Sequence, residues 1–176
     1  MKEIIMGKKV ATVITKLFED VEFTSPKEAL TEAGHEVVTI GFEAGETVEG
    51  KKGEASVTID KGIDDVKPED FDALYIPGGF SPDQLRKDDR FLAFVKAFAN
   101  DQKPIFSICH GPQLLINAEV VKGKKLTAVK QVAVDLKNAG ADFIDAEVVT
   151  DDSGMISSRT PDDLPAFNKA IVAALD

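Results

Sequence analysis

The sequence predicts an α/β fold: a single-domain, three-layer sandwich with a mainly parallel central sheet. Three observations predict it. Short β-branched runs free of charge recur along the chain, helical segments with recognisable start and stop signals lie between them, and no linker, repeat or low-complexity tract divides the 176 residues. Strands that alternate with helices pair in parallel through crossovers, which cover both faces of the sheet.

The first run, VATVIT at 10–15, is a strand buried on both faces. Ser25, Pro26 and Glu28 then read as an N-cap, a first-turn proline and a capping-box acid, opening a helix that ends near Ala33-Gly34. EVVTIG at 36–41 is the next strand. Residues 42–70, punctuated by Gly45, Gly50 and Gly53 and containing the strand ASVTID, form an excursion or hairpin.

ALYI at 73–76 returns to the sheet and runs into the turn Pro77-Gly78-Gly79. A helix follows with Phe91, Leu92, Phe94, Val95 and Phe98 on one face, a helical spacing that assigns these side chains to the core. PIFSI at 104–108 is another buried strand, and Cys109-His110-Gly111 turns from it into a helix containing Leu114, Leu115 and Ile116. After it come the short strand LTAV, a helix VAVDLKNAG closed by Gly140, a hairpin AEVVTDDSGMISS and a last helix capped by Thr160 with Pro161 at its first position.

Twenty-one basic residues against 31 acidic ones leave a net charge of −10, which repels phosphate backbones and anionic lipid. Lys122, Lys124 and Lys125 around Gly123 read as a polar turn, so neither nucleic acid nor a membrane surface is expected as a partner. One cysteine excludes an intrachain disulfide and a Cys/Cys metal site, and a free thiol suits a reducing compartment, hence the cytoplasm. Two histidines at unrelated positions and a PGGF turn unlike a phosphate-binding loop lead us to expect no metal and no cofactor. His35, between a helix and a strand, reads as structural. The start MKEIIMGKKV lacks a signal-type apolar stretch, and Met6 resembles a second start, so residues 1–7 are expected to be an extension and 8–176 the domain.

In an open parallel sheet, ligands bind beyond the carboxyl ends of the strands, where both Gly78-Gly79 and Cys109-His110 fall. A cysteine at a helix N-terminus is drawn toward thiolate, and free backbone N–H groups of His110 and the glycine pair would hold an oxyanion. The residues alone also allow a buried core thiol, since free cysteine is among the most buried residue types.

The segments SICHGPQLLI, DALYIPGG and LFEDVEF together resemble the ThiJ/PfpI superfamily, specifically its PfpI branch, over residues 8–175; SSRTPDDL is also family-like. The resemblance implies a fold of the flavodoxin-like or class I glutamine amidotransferase-like kind. It implies that Glu19 is the acid hydrogen-bonded to the Cys109 sulfur, protonated because a carboxylate would repel a thiolate. It further implies His110 as proton acceptor or donor, the amides of Gly79 and His110 as the oxyanion site, and Asp83 where relatives carry a glutamate that reaches the histidine of a neighbouring subunit. Adjacent residues on a turn ordinarily point in different directions, which weighs against a productive contact between the His110 ring and the Cys109 sulfur. The implied assemblies are dimers or hexamers. The implied activities are glyoxalase or deglycase-like chemistry on a small carbonyl substrate or glycated adduct, an intracellular cysteine peptidase, or a non-enzymatic redox sensor or chaperone with an oxidisable thiol.

Overall fold

A computed structural model describes residues 7–176. The expected extension at 1–7 lies, apart from Gly7, outside the described residues.

The chain enters through β1 (Lys9–Val13), passes into α1 (Asp20–Glu32) and returns through β2 (Glu36–Gly41). The excursion is a hairpin of β3 (Thr47–Glu49) and β4 (Ser56–Thr58), followed by a two-residue edge strand β5 (Lys61–Gly62). β6 (Ala73–Ile76) leads through α2 (Ser81–Leu85) and α3 (Asp89–Asn100) to β7 (Ile105–Ile108) and α4 (Pro112–Asn117). The remainder comprises β8 (Lys125–Leu126), α5 (Ala133–Asn138), β9 (Asp142–Phe143), β10 (Val149–Thr150), β11 (Met155–Ser158) and α6 (Leu164–Leu175).

Seven strands make one sheet in the order β10-β11-β7-β6-β1-β2-β5, with only β10 antiparallel. Alternate residues of the central strands feed opposite cores. Leu74 and Ile76 of β6 pack toward α3 and α4, whereas Ala73 and Tyr75 pack with Leu30 of α1 and Phe167 and Ile171 of α6. This is the expected three-layer sandwich.

α3 forms as its pattern predicts: Asp88 caps it by accepting from the Arg90 N–H, and Phe91, Phe94, Val95 and Phe98 are all buried. Each such side chain contributes about 1.5–3 kcal/mol by leaving water. No helix among the described residues is long and apolar enough to cross a membrane.

Three expected boundaries are corrected. α1 begins at Asp20, not after Ser25, so Pro26 lies inside the helix. Its missing N–H leaves the Glu22 carbonyl without the usual partner one turn on, and the buried Tyr75 hydroxyl donates to that carbonyl instead. LTAV is a strand only at Lys125–Leu126, paired with β9 outside the main sheet. Thr160 and Pro161 open a 3₁₀ turn, Pro161–Asp163, ahead of α6, and the Thr160 side chain makes no capping bond.

Candidate active site

From β1 the chain runs to β2 on one side and then to β6 on the other, so the strand order reverses direction between β1 and β6. Such a point is where open parallel sheets leave a crevice. The segment after β1 supplies Glu19 and Glu22, the turn after β6 supplies Gly78 and Gly79, and Cys109 directly follows β7.

Cys109 sits in the left-handed region with φ 61°, a conformation that costs an L-residue about 1–3 kcal/mol. The surroundings impose it. Its N–H donates to the Ser158 carbonyl at 3.1 Å, its own carbonyl accepts from the Val129 N–H at 3.1 Å, and Gly111 N–H closes the turn on Ile108 O at 2.8 Å. This backbone brings neighbouring side chains together: Cys109 Sγ lies 3.2 Å from His110 Nδ1. The thiol residue is only 8 % exposed.

The acid at the sulfur is Glu22, which corrects the expectation for Glu19. Glu22 is fully buried beside Cys109, both meeting the same face of Gly78, and accepts the Gly78 N–H on Oε1 at 3.0 Å. Its Oε2 has no hydrogen-bond partner among the described residues. A Cβ at Gly78 would stand 2.5 Å from Glu22 Oε1, so only glycine admits this contact. Glu19 precedes α1 and turns to the hairpin, where Lys51 Nζ meets it at 2.6 Å and Lys52 Nζ at 3.2 Å.

Of the amides expected to be free, that of Gly78 is therefore used by Glu22. Those of Gly79 and His110 favour the charged form of the Cys109 sulfur. Gly79 holds φ 78°, and a Cβ there would come 2.3 Å from the Glu19 nitrogen.

Burial pushes the Glu22 carboxyl up to about 8, and the Glu19 carboxylate adds to the rise, so Glu22 is mostly protonated at neutral pH. Burial first and the Glu22 carboxylate second push the Cys109 thiol up to about 12, against the amides of His110 and Gly79 and the Lys51 cation. This overturns the expectation of a thiol acidified by its helix, since α4 has only six residues and burial outweighs it. The two rises are not independent, because the carboxylate that opposes the thiolate is gone while Glu22 keeps its proton. Burial then remains as the one influence against thiolate, opposed by two N–H groups and a cation that favour it.

Burial and Lys51 lower the His110 imidazolium, with Asp83 and Glu19 opposing, so the ring is neutral at neutral pH and able to accept a proton. Asp83 is exposed and gives its carboxylate to Arg86, at 2.9 Å from Nε and 2.6 Å from Nη2. It makes no hydrogen bond to His110 within the chain.

Lys51 was not anticipated from the sequence. The buried Asp20 carboxylate accepts the N–H groups of Lys52, Glu54 and Ala55, each at 2.9 Å, and so clamps the hairpin tip over the site. A Cβ at Gly50 would fall 2.2 Å from that carboxylate. Lys51 Nζ also stands 5.6 Å from the centroid of the exposed Phe80 ring. The sequence signal was the basic pair in GKKGEAS at the tip of the excursion.

Comparison with known proteins gives consistent similarity. The DJ-1/PfpI family model matches residues 8–174. Protein/nucleic acid deglycase 2 of Escherichia coli is 61% identical over 170 residues, covering 97% of this chain and 99% of that protein. General stress protein 18 of Bacillus subtilis is 58% identical, with 97% and 99% covered. A solved two-domain protein of Anabaena variabilis, containing DJ-1/ThiJ/PfpI-like and ferritin-like domains, superposes with a TM-score of 0.92 at 39% identity. The match covers 96% of this chain and 48% of that one, so this chain spans about half of that structure.

Proposed function

The chain belongs to the DJ-1/PfpI family, and on that premise we propose that it is a cofactor-independent, Cys109-dependent enzyme acting on small reactive carbonyls or their adducts. The name of the deglycase relative supports this substrate class. The observation that carries the reading is the convergence on one sulfur of a protonated acid, Glu22, a neutral imidazole at 3.2 Å and two backbone N–H donors.

The Cys109 thiolate adds to the aldehyde carbon of a 2-oxoaldehyde, forming a C–S bond while the carbonyl electrons move to oxygen. The N–H groups of Gly79 and His110, which cradle the sulfur, are suited to hold that oxyanion. With an amine-borne hemiaminal adduct the thiolate displaces the amine: the C–S bond forms as the C–N bond breaks, and His110 passes the proton taken from the thiol to the departing nitrogen. His110 carries a proton from the aldehyde carbon to the adjacent carbonyl carbon, turning the hemithioacetal into a thioester of a 2-hydroxyacid. Water then cleaves the C–S bond and restores the thiol. The net change adds one water to the 2-oxoaldehyde, so no oxidant and no cofactor is required.

The peptidase alternative asks for an acid on His110. Asp83, the candidate, is held by Arg86 in the single chain, so this reading rests on a dimer or hexamer that reorients Asp83 toward the partner's ring. A cytoplasmic setting keeps the lone thiol reduced.

The test follows the release of N-acetylcysteine from its methylglyoxal hemithioacetal in the presence of purified protein. Wild type should accelerate release and Cys109→Ala should not. Equal rates with Cys109→Ala would remove Cys109 from the reaction.

A further inference from the structure

α1 contains a proline where an uninterrupted helix would need an N–H. Residue 26 would ordinarily donate to the carbonyl of residue 22, and Pro26 has nothing to donate. The orphaned carbonyl belongs to Glu22, whose side chain carries the acid at Cys109. It is not left orphaned: the hydroxyl of Tyr75, from the neighbouring strand β6, donates to it.

We propose that Tyr75 is a positioning residue for the Cys109–Glu22 pair: its hydroxyl supplies the Glu22 carbonyl with the hydrogen bond that Pro26 withholds, and thereby fixes the turn of α1 that carries the Glu22 carboxyl. This rests on Glu22 as the functional partner of Cys109. β6 and the turn after it hold Glu22 at two points, Tyr75 on the main-chain carbonyl and the Gly78 N–H on Oε1. The other polar group of its backbone, the N–H, donates to Glu19 O at 3.0 Å.

Tyr75 suits the task. It is 2 % exposed, its ring lies 5.9 Å from that of Phe167, and burial keeps the hydroxyl protonated far beyond neutral pH. A donor fixed by a packed ring loses little freedom when it bonds. A helix turn lacking this bond would open toward the crevice, since a buried unpaired carbonyl is costly. The carboxyl carbon, four bonds from that carbonyl carbon, would move with it.

Cys109 is the single cysteine, so alkylation by iodoacetamide reports that sulfur alone in the full chain. Glu22 and Lys51 act on it by charge, Glu19 acts on Glu22, and Asp83 and Glu19 act on the adjoining His110; all are kept in the Tyr75 and Pro26 variants. Tyr75→Phe retains the ring and removes the donor. Its alkylation profile should shift up by about one pH unit, with roughly tenfold slower reaction at neutral pH. Pro26→Ala restores an N–H to the same carbonyl, so the double variant Pro26→Ala/Tyr75→Phe should return to the wild-type profile.

A Tyr75→Phe profile that overlays wild type overturns the proposal, as does a shifted profile that Pro26→Ala fails to restore. If Tyr75→Phe folds too poorly to measure, the double variant decides: folded with the wild-type profile supports the proposal, and folded with a shifted profile overturns it. Glu22→Gln, measured alongside, separates the two layers. A changed Glu22→Gln profile with an unchanged Tyr75→Phe profile removes only the positioning role, whereas no change in either removes Glu22 from the site as well.

Discussion

Exchanging Glu22 for glutamine replaces a buried acid by a neutral group of the same shape, and the direction in which the Cys109 thiol then moves reveals where the shared proton sits. Were Glu22 ionised in the wild type, the thiol would titrate near the value of about 12 that burial and the carboxylate impose together. Two charges about 4 Å apart interact by about 4 kcal/mol at an effective dielectric constant near 20, so removing the carboxylate would lower the thiol by roughly three units. If instead Glu22 holds the proton and donates it to the thiolate, glutamine removes only the difference between an O–H and a weaker N–H donor. The thiol then rises, by about one unit. The pH dependence of thiolate absorbance or of iodoacetamide alkylation reads the shift. A rise is expected; a fall of two units or more would refute a protonated Glu22.

Other consequences follow from the same structure. Because the folded Glu22 carboxyl is raised to about 8, its contribution to stability is present below the unfolded value near 4.3 and is lost as pH rises toward 8. Urea midpoints across that window should slope downward in wild type and flatten in Glu22→Gln; parallel slopes would contradict this. For Asp20, burial alone would raise the carboxyl, but the amides of Lys52, Ala55 and Glu54 hold it below its ordinary value, so its contribution is lost on acidification below about pH 4. Asp20→Ala should cost about 2–4 kcal/mol at neutral pH and expose the hairpin tip to proteolysis, and an unchanged urea midpoint would argue against the clamp. Lys51→Met should slow Cys109 alkylation at neutral pH by about two- to fivefold at low salt, with a smaller effect at high salt; equal rates at all salt concentrations would deny Lys51 an electrostatic role. Phe98→Ala should lower stability by about 3–5 kcal/mol in chemical denaturation, and a loss below 1 kcal/mol would show that the α3 core collapses around the gap.

The parts of the fold that were legible are those whose signal is local. VATVIT, ALYI and PIFSI are apolar runs that only a doubly covered sheet can bury, and the spacing of Phe91, Phe94, Val95 and Phe98 marks the buried face of α3. The start of α1 was not legible, because Ser25-Pro26 carries the local signal of a helix opening. The donor that allows the helix to run through Pro26 comes from Tyr75, 53 residues beyond the Glu22 whose carbonyl it bonds. The misplacement of the acid has the same root. The resemblance of FEDVE pointed to Glu19, but that segment also holds Glu22 one helical turn on; both are buried, and with α1 begun too late nothing told which of the two faces the sulfur. Cys109 and the glycine turn were legible since strand ends and special backbone positions leave marks in sequence. Lys51 was not, because Asp20 brings it to the site through three backbone amides that no spacing pattern records.

The central claim, a thiol regenerated in each cycle of carbonyl chemistry, is tested most directly by counting lactate formed from methylglyoxal per mole of protein, without glutathione, for wild type and Cys109→Ser. Many equivalents from wild type and none above background from Cys109→Ser are expected. A single equivalent per thiol, or equal yields from both proteins, would contradict an enzyme built on Cys109.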